Sequence, residues 1–139
     1  MKRRKQNDRN GDSGQSLVET SLMLVVIFMV AFWIVEMCGV VYTYATIANA
    51  AEEGARYGIT SSGVVAGDSR IVTRVKNFAA TSLHNVSAIS VAVTLPDGSS
   101  TPPNRVKVTV SYTYVPWLNS VMKNPLVMNA YAEGRMVVQ

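Results

Sequence analysis

Leu22-Met-Leu-Val-Val-Ile-Phe-Met-Val-Ala-Phe-Trp-Ile-Val-Glu-Met-Cys-Gly-Val-Val41 is a run of 20 residues with one charge, Glu36. A helix of that length and composition matches a bilayer core of roughly 30 Å. The run lies inside a longer proline-free region, Gly14 to Tyr57, and the first proline of the chain is Pro96. Nothing in that region forces a kink or a stop. At about 1.5 Å per residue a helix from Gln15 to Tyr57 would be on the order of 65 Å long, about twice the hydrocarbon thickness. The sequence therefore predicts a membrane-spanning helix whose second half stands outside the lipid as a stalk.

Charge supports that orientation. Residues 1 to 14 hold Lys2, Arg3, Arg4, Lys5 and Arg9 against Asp8 and Asp12, which is +3 of the net +4 of the 139-residue chain. A basic cluster just ahead of an apolar helix marks the cytoplasmic flank under the positive-inside rule. The tail has no aromatic residue on which bases could stack, so nucleic acid is not an expected partner. Met1 to Ser13 carries no apolar residue after Met1 and is expected to be a disordered leader.

The junction Gly14-Gln15-Ser16-Leu17-Val18-Glu19 supports two readings. In the structural one Gly14 is a loop residue, Ser13 or Ser16 caps the helix, and Glu19 is a first-turn acid favoured by the helix dipole. In the functional one the chain is cut between Gly14 and Gln15, leaving Glu19 as the fifth residue of the new chain. A carboxylate at the mouth of a membrane segment costs free energy and is a functional candidate. The new amine at Gln15 could offset that charge on a neighbouring copy. Ala48-Asn49-Ala50 also satisfies the small-residue rule for a secretory cut, but it lies 13 residues past Val35. The apolar run also exceeds a secretory core of about 7–15 residues. Glu36 is expected at the membrane interface or matched to a neighbouring helix, and Cys38 as a small packing residue.

Beyond the apolar run, Val41, Tyr44, Ala45, Ala48, Ala51 and Ala55 follow helical spacing and predict a narrow packing stripe made mostly of alanine. Glu52 and Arg56 stand four apart in the favourable order for an ion pair, and Gly58 is placed to cap the helix. After a Ser/Gly-rich loop, Asp68 or Ser69 can cap a second helix with apolar positions Ile71, Val72, Val75, Phe78 and Ala79. Arg70, Arg74 and Lys76 are expected on its solvated side. Period-two alternation follows in three segments: Ile89 to Leu95, Val106 to Tyr114, and Leu126 to Ala132, with a bulge expected at Gly134. The expected architecture is α+β: a long transmembrane helix continuing as a stalk, a short second helix, and a small three-strand antiparallel sheet. One face of the sheet should be covered by the second helix and the alanine stripe.

Catalytic chemistry is sparse. There is one cysteine and one histidine, His84, so an intrachain disulfide and a His-pair metal site are excluded. No nucleophile elbow, phosphate-cradling glycine loop or calcium loop occurs, and neither enzyme activity nor a cofactor is expected.

With these residues in place, the chain resembles the TadE-like family of pseudopilins from tight-adherence, Flp-type pilus systems. The resemblance rests on Gly14-Gln-Ser-Leu-Val-Glu19, the apolar helix, Ile34-Val-Glu-Met37, and Asn49-Ala-Ala-Glu-Glu-Gly-Ala-Arg-Tyr57. The last block is similar to the family's Ala-Ala-Arg-Glu-Gly-Ala-Arg signature at Ala50, Ala51, Glu53, Gly54, Ala55 and Arg56, with Glu52 replacing the first basic residue. The resemblance implies cleavage by a prepilin peptidase after Gly14, and insertion in a bacterial inner membrane. It further implies partnership with other pilins, pseudopilins and the assembly platform, and a register role for Glu19. The implied parts are a cytoplasmic leader at 1–14, an anchor and stalk at 15–58, and an extracytoplasmic head at 59–139. An uncleaved, signal-anchored module binding an envelope polymer or protein through the Arg105/Lys107 face is the alternative.

Overall fold

The computed structural model describes residues 9–83, 85–98, 104–117 and 124–136. The expected disorder of residues 1–8 and the environment of His84 fall outside them. In chain order the elements are α1 (Arg9–Thr60), α2 (Ser69–Ala80), a 3-10 turn (Val86–Ala88), β1 (Ile89–Thr94), β2 (Arg105–Tyr114) and β3 (Leu126–Arg135). This is the expected α+β order of long apolar helix, short helix and three antiparallel strands. Two compact units divide it, Met1–Cys38 and Gly39–Gln139, with the boundary inside α1.

The first unit holds the opening part of α1. The helix starts at Arg9, so Gly14 lies inside it rather than in a loop, and neither Ser13 nor Ser16 serves as its cap. The expectation of a disordered leader up to Ser13 is corrected for Arg9–Ser13, which continue the helix. With no proline to interrupt them, these polar residues extend the strongly helical run that follows. From Gly14 to Cys38 the side chains are exposed, except for Glu36, which is buried.

In the second unit the strands form a meander in the order β1-β2-β3, antiparallel throughout. Val91 pairs with Val110 and Val93 with Val108; across the other ladder Val108 pairs with Ala132, Val110 with Ala130 and Tyr112 with Met128. Because side chains alternate, this register places Val106, Val108, Val110, Ile89, Val93, Met128 and Ala130 on one buried face. Each fully buried valine stabilises the unit by roughly 1.5–3 kcal/mol relative to exposure.

Asp68 caps α2, its carboxylate accepting the Arg70 backbone N–H at 2.9 Å. Ile71, Val75 and Ala79 of α2 are buried, with Val72 half-buried. Phe78 departs from expectation and is exposed, one position off the buried row. Arg74 is exposed as expected, and from there it bonds Glu53 of α1, its Nε and NH2 donating to Oε1 at 3.0 and 2.8 Å. The ion pair expected between Glu52 and Arg56 does not form; both side chains are exposed. It is Glu53 that faces a cation, brought close by tertiary packing.

The packing stripe of α1 is also corrected. Val41, Tyr44 and Ala45 are exposed, while Thr43, Thr46, Ile47, Ala50, Ala51, Gly54, Ala55 and Gly58 are buried. The buried face is thus rotated about a quarter-turn from the alanine stripe. Two threonines enter it without leaving a hydroxyl unsatisfied, since Thr43 Oγ1 donates to the Gly39 carbonyl at 2.8 Å and Thr46 Oγ1 to the Tyr42 carbonyl at 3.0 Å. What the face selects is small size at its centre. A Cβ at Gly54 would overlap Val75 Cγ2 of α2 and stand 3.2 Å from Val108 Cγ1 of β2, so both neighbours close on this one residue. Gly58 is part of the same contact rather than a cap: a Cβ there would meet Val106 Cγ1 at 3.0 Å, and the helix continues to Thr60. Gly134 is not a bulge either. It pairs regularly with Val106, and its missing side chain leaves room for Ile59 of α1.

Candidate functional site: the junction, the apolar run and the helix motif

Gly14, Gln15 and Glu19 lie together at the exposed start of the apolar part of α1. A Cβ at Gly14 would meet nothing within 4 Å, so the backbone here is open to a second molecule. Hydroxyls nearby are turned inward on the helix itself, Thr20 Oγ1 donating to the Ser16 carbonyl at 2.8 Å and Ser21 Oγ to the Leu17 carbonyl at 2.7 Å. This takes polar groups out of competition for solvent, as suits a helix entering an apolar medium. Glu19 has no hydrogen-bond or ion-pair partner among the described residues.

From Leu17 to Met37 large apolar side chains point out all round the helix, Leu22, Phe28, Met29, Phe32, Trp33 and Ile34 among them. A helix whose apolar side chains are exposed on every side, with Glu36 alone buried, suits a bilayer rather than water. By length and composition it is able to cross a membrane.

The block Asn49 to Tyr57 divides by position on α1. Ala50, Ala51, Gly54 and Ala55 are in the buried face; Glu53 reaches Arg74; Asn49, Glu52 and Arg56 are exposed. Four of the six candidate motif positions thus build the contact among α1, α2 and the sheet. The Gly14–Glu19 junction lies in the other compact unit.

The outer face of the sheet carries Arg105 and Lys107, and both are engaged. Arg105 donates from its backbone N–H, Nε and NH2 to the Asp97 carboxylate at 3.1, 3.2 and 3.0 Å. Its NH1 lies 3.8 Å from Glu133, whose other oxygen lies 3.8 Å from Lys107 Nζ. That ammonium also sits 4.7 Å above the Tyr131 ring. Arg105 and Lys107 thus already meet carboxylates of their own chain, while Arg135, opposite Arg105 in the ladder, is exposed and has no ion pair among the described residues.

The hydrogen bond from the Arg105 side chain holds the Asp97 carboxyl below its ordinary value, and that from Arg70 does the same for Asp68, against the opposing effect of burial. A lowered carboxyl contributes stability that is complete above the ordinary value of 3.8 and is lost as pH falls through the lowered one. Urea midpoints of the full chain in detergent should be level from about pH 7 to about 5 and drop below about pH 4. Asp68→Asn, which keeps a capping oxygen without the charge, should make that drop shallower. Asp68→Ala should cost about 1 kcal/mol at pH 7 through the lost cap. An Asp68→Ala midpoint equal to wild type would remove the cap from this account.

The family model described as TadE-like protein matches residues 14–56. Residues 14–56 are a TadE-like segment. It opens at Gly14, contains the apolar run, and ends on Arg56, one residue short of Tyr57. The TadE-like segment covers most of α1 and stops before α2 and the sheet. No curated protein and no solved structure matches the chain. Sequence reasoning missed Arg74 as the partner of Glu53, because only the fold brings residues 21 positions apart together. Among the described residues no cluster of His, Cys, Asp and Glu is arranged to hold a metal ion.

Proposed function

We propose that this chain is a membrane-anchored pseudopilin, or minor pilin, that takes part in assembling a tight-adherence, Flp-type pilus. Residues 1–14 are a basic cytoplasmic leader, removed by a prepilin peptidase between Gly14 and Gln15. Residues 15–58 are the transmembrane helix and stalk, and residues 59–139 an extracytoplasmic head. The carrying observation is that the TadE-like segment opens at Gly14, three residues ahead of the exposed apolar stretch that begins at Leu17. A glycine inside a helix lowers local helicity by about 1 kcal/mol relative to alanine, which favours opening of the backbone for a peptidase. The role is structural: the chain partners other pilins and the inner-membrane assembly platform, and no step calls for a catalytic residue or cofactor. The pairing of Arg105 and Lys107 with Asp97 and Glu133 weighs against the alternative of a polymer-binding module on that face.

Mass spectrometry of the N-terminus of the native protein tests the proposal in one measurement. A chain starting at Gln15 and recovered with the membrane is expected. A chain starting at Met1 would overturn processing; one starting at Ala51 in the soluble fraction would overturn the anchor as well.

A further inference from the structure

In the second unit the side of α1 opposite the buried stripe is bare. Val41, Ala45, Asn49, Glu52 and Arg56 fall three or four residues apart and are all exposed, Val41 to 63%. The lower part of this face is apolar or small, which permits close approach of another helix. Its upper part carries one acid and one base, neither of which has an ion-pair partner among the described residues. Elsewhere in this unit Glu53, Asp68, Asp97 and Glu133 all meet a cation of their own chain. Among the acids of this unit, Glu52 is thus the one left without a cation of its own chain among the described residues, and an unpaired base, Arg56, lies one turn above it on the same face.

We infer that this face joins two copies of the chain side by side, Glu52 of each copy pairing with Arg56 of the other. The inference rests on the membrane anchoring proposed above, which holds two copies parallel and level. Glu52 and Arg56 differ in height by about 6 Å, a gap that the two long side chains bridge. Because each copy supplies one acid and one base, the contact is self-complementary and closes twice across a two-fold axis. Asn49 then faces Asn49 of the second copy between the charged pairs and the small Ala45. Substitutions at 49, 52 and 56 leave the fold intact, since none of these side chains is buried.

The test uses the full chain in its own membrane, carrying Cys38→Ser and Asn49→Cys, treated with a short bis-maleimide. A cross-linked dimer is expected. Glu52→Arg or Arg56→Glu alone should reduce its yield by about threefold to fivefold, through like charges brought together. The exchanged pair, Glu52→Arg with Arg56→Glu, should restore it. No dimer in the parent, no loss in the single variants, or loss without restoration would each overturn the inference; the last outcome would place a different protein on this face. Membrane retention and N-terminal mass are read on the same samples. A protein that is anchored and starts at Gln15 but fails the exchange sinks the pairing and spares the pilus assignment, whereas one absent from the membrane sinks both.

Discussion

Gly54→Leu is expected to unfold the Gly39–Gln139 unit in the intact protein. Even a Cβ at this position overlaps Val75 Cγ2, crowds Val108 Cγ1 at 3.2 Å, and comes into contact with Ile71 Cγ2 at 3.5 Å. Those atoms belong to β-branched side chains, stiff at χ1, on two different elements. Relief requires moving α2 and the sheet apart together. Overpacking of one or two methylenes costs about 1–3 kcal/mol, and leucine adds four carbons at a point where two layers converge. The loss approaches the whole of a small unit's stability of about 5–15 kcal/mol. Helix propensity works the other way by about 1 kcal/mol and is overwhelmed. Limited proteolysis of the full chain should show the Gly39–Gln139 unit of Gly54→Leu cleaved rapidly, while Glu52→Leu, two residues away on the exposed side, stays resistant. Equal resistance in the two variants would mean that α1 does not contact α2 and the sheet through Gly54.

Glu19→Ala is expected to leave processing and membrane insertion unchanged while reducing assembly into pili by at least about tenfold, the effect of roughly 1.4 kcal/mol per contact. In the proposed mature chain Glu19 is the fifth residue, and it finds no partner among the described residues of its own chain. A carboxylate in the lipid is costly unless neutralised, and the new amine of a neighbouring Gln15 supplies an opposite charge only when two subunits stand at the right axial offset. Removing the acid relieves the cost of insertion and abolishes the preference for that offset. Pili sheared from cells and quantified against membrane-retained subunit read the effect. Wild-type assembly by processed Glu19→Ala subunits would end the register role.

Both substitutions probe features visible along the chain, yet the reasons behind them differ in kind. The apolar run, the period-two strands and the Asp68 cap depend on spacing within a few residues, and local spacing is what a linear reading measures. The alternating valines of β2 specified which of its faces would be buried, because a strand offers only two. A helix offers a continuum of faces, and α1 beyond the membrane run has alanines or other small residues on several of them. Composition favoured the side bearing Val41, Tyr44 and Ala45; packing chose the side bearing Gly54 and Gly58. Glycine was the missed signal, since it contributes nothing to a hydrophobic count while allowing the closest approach.

By itself the sequence determined the α+β class, the membrane-capable helix, the strand faces and the start of the TadE-like segment, all of which follow from periodicity, run length and local motif. Only the tertiary structure decided which side of α1 is covered, that Glu53 and not Glu52 bonds a cation, and that Gly134 admits Ile59 rather than bulging. Those outcomes depend on atoms far apart in the chain competing for the same few ångströms, and the competition has no counterpart in residue order.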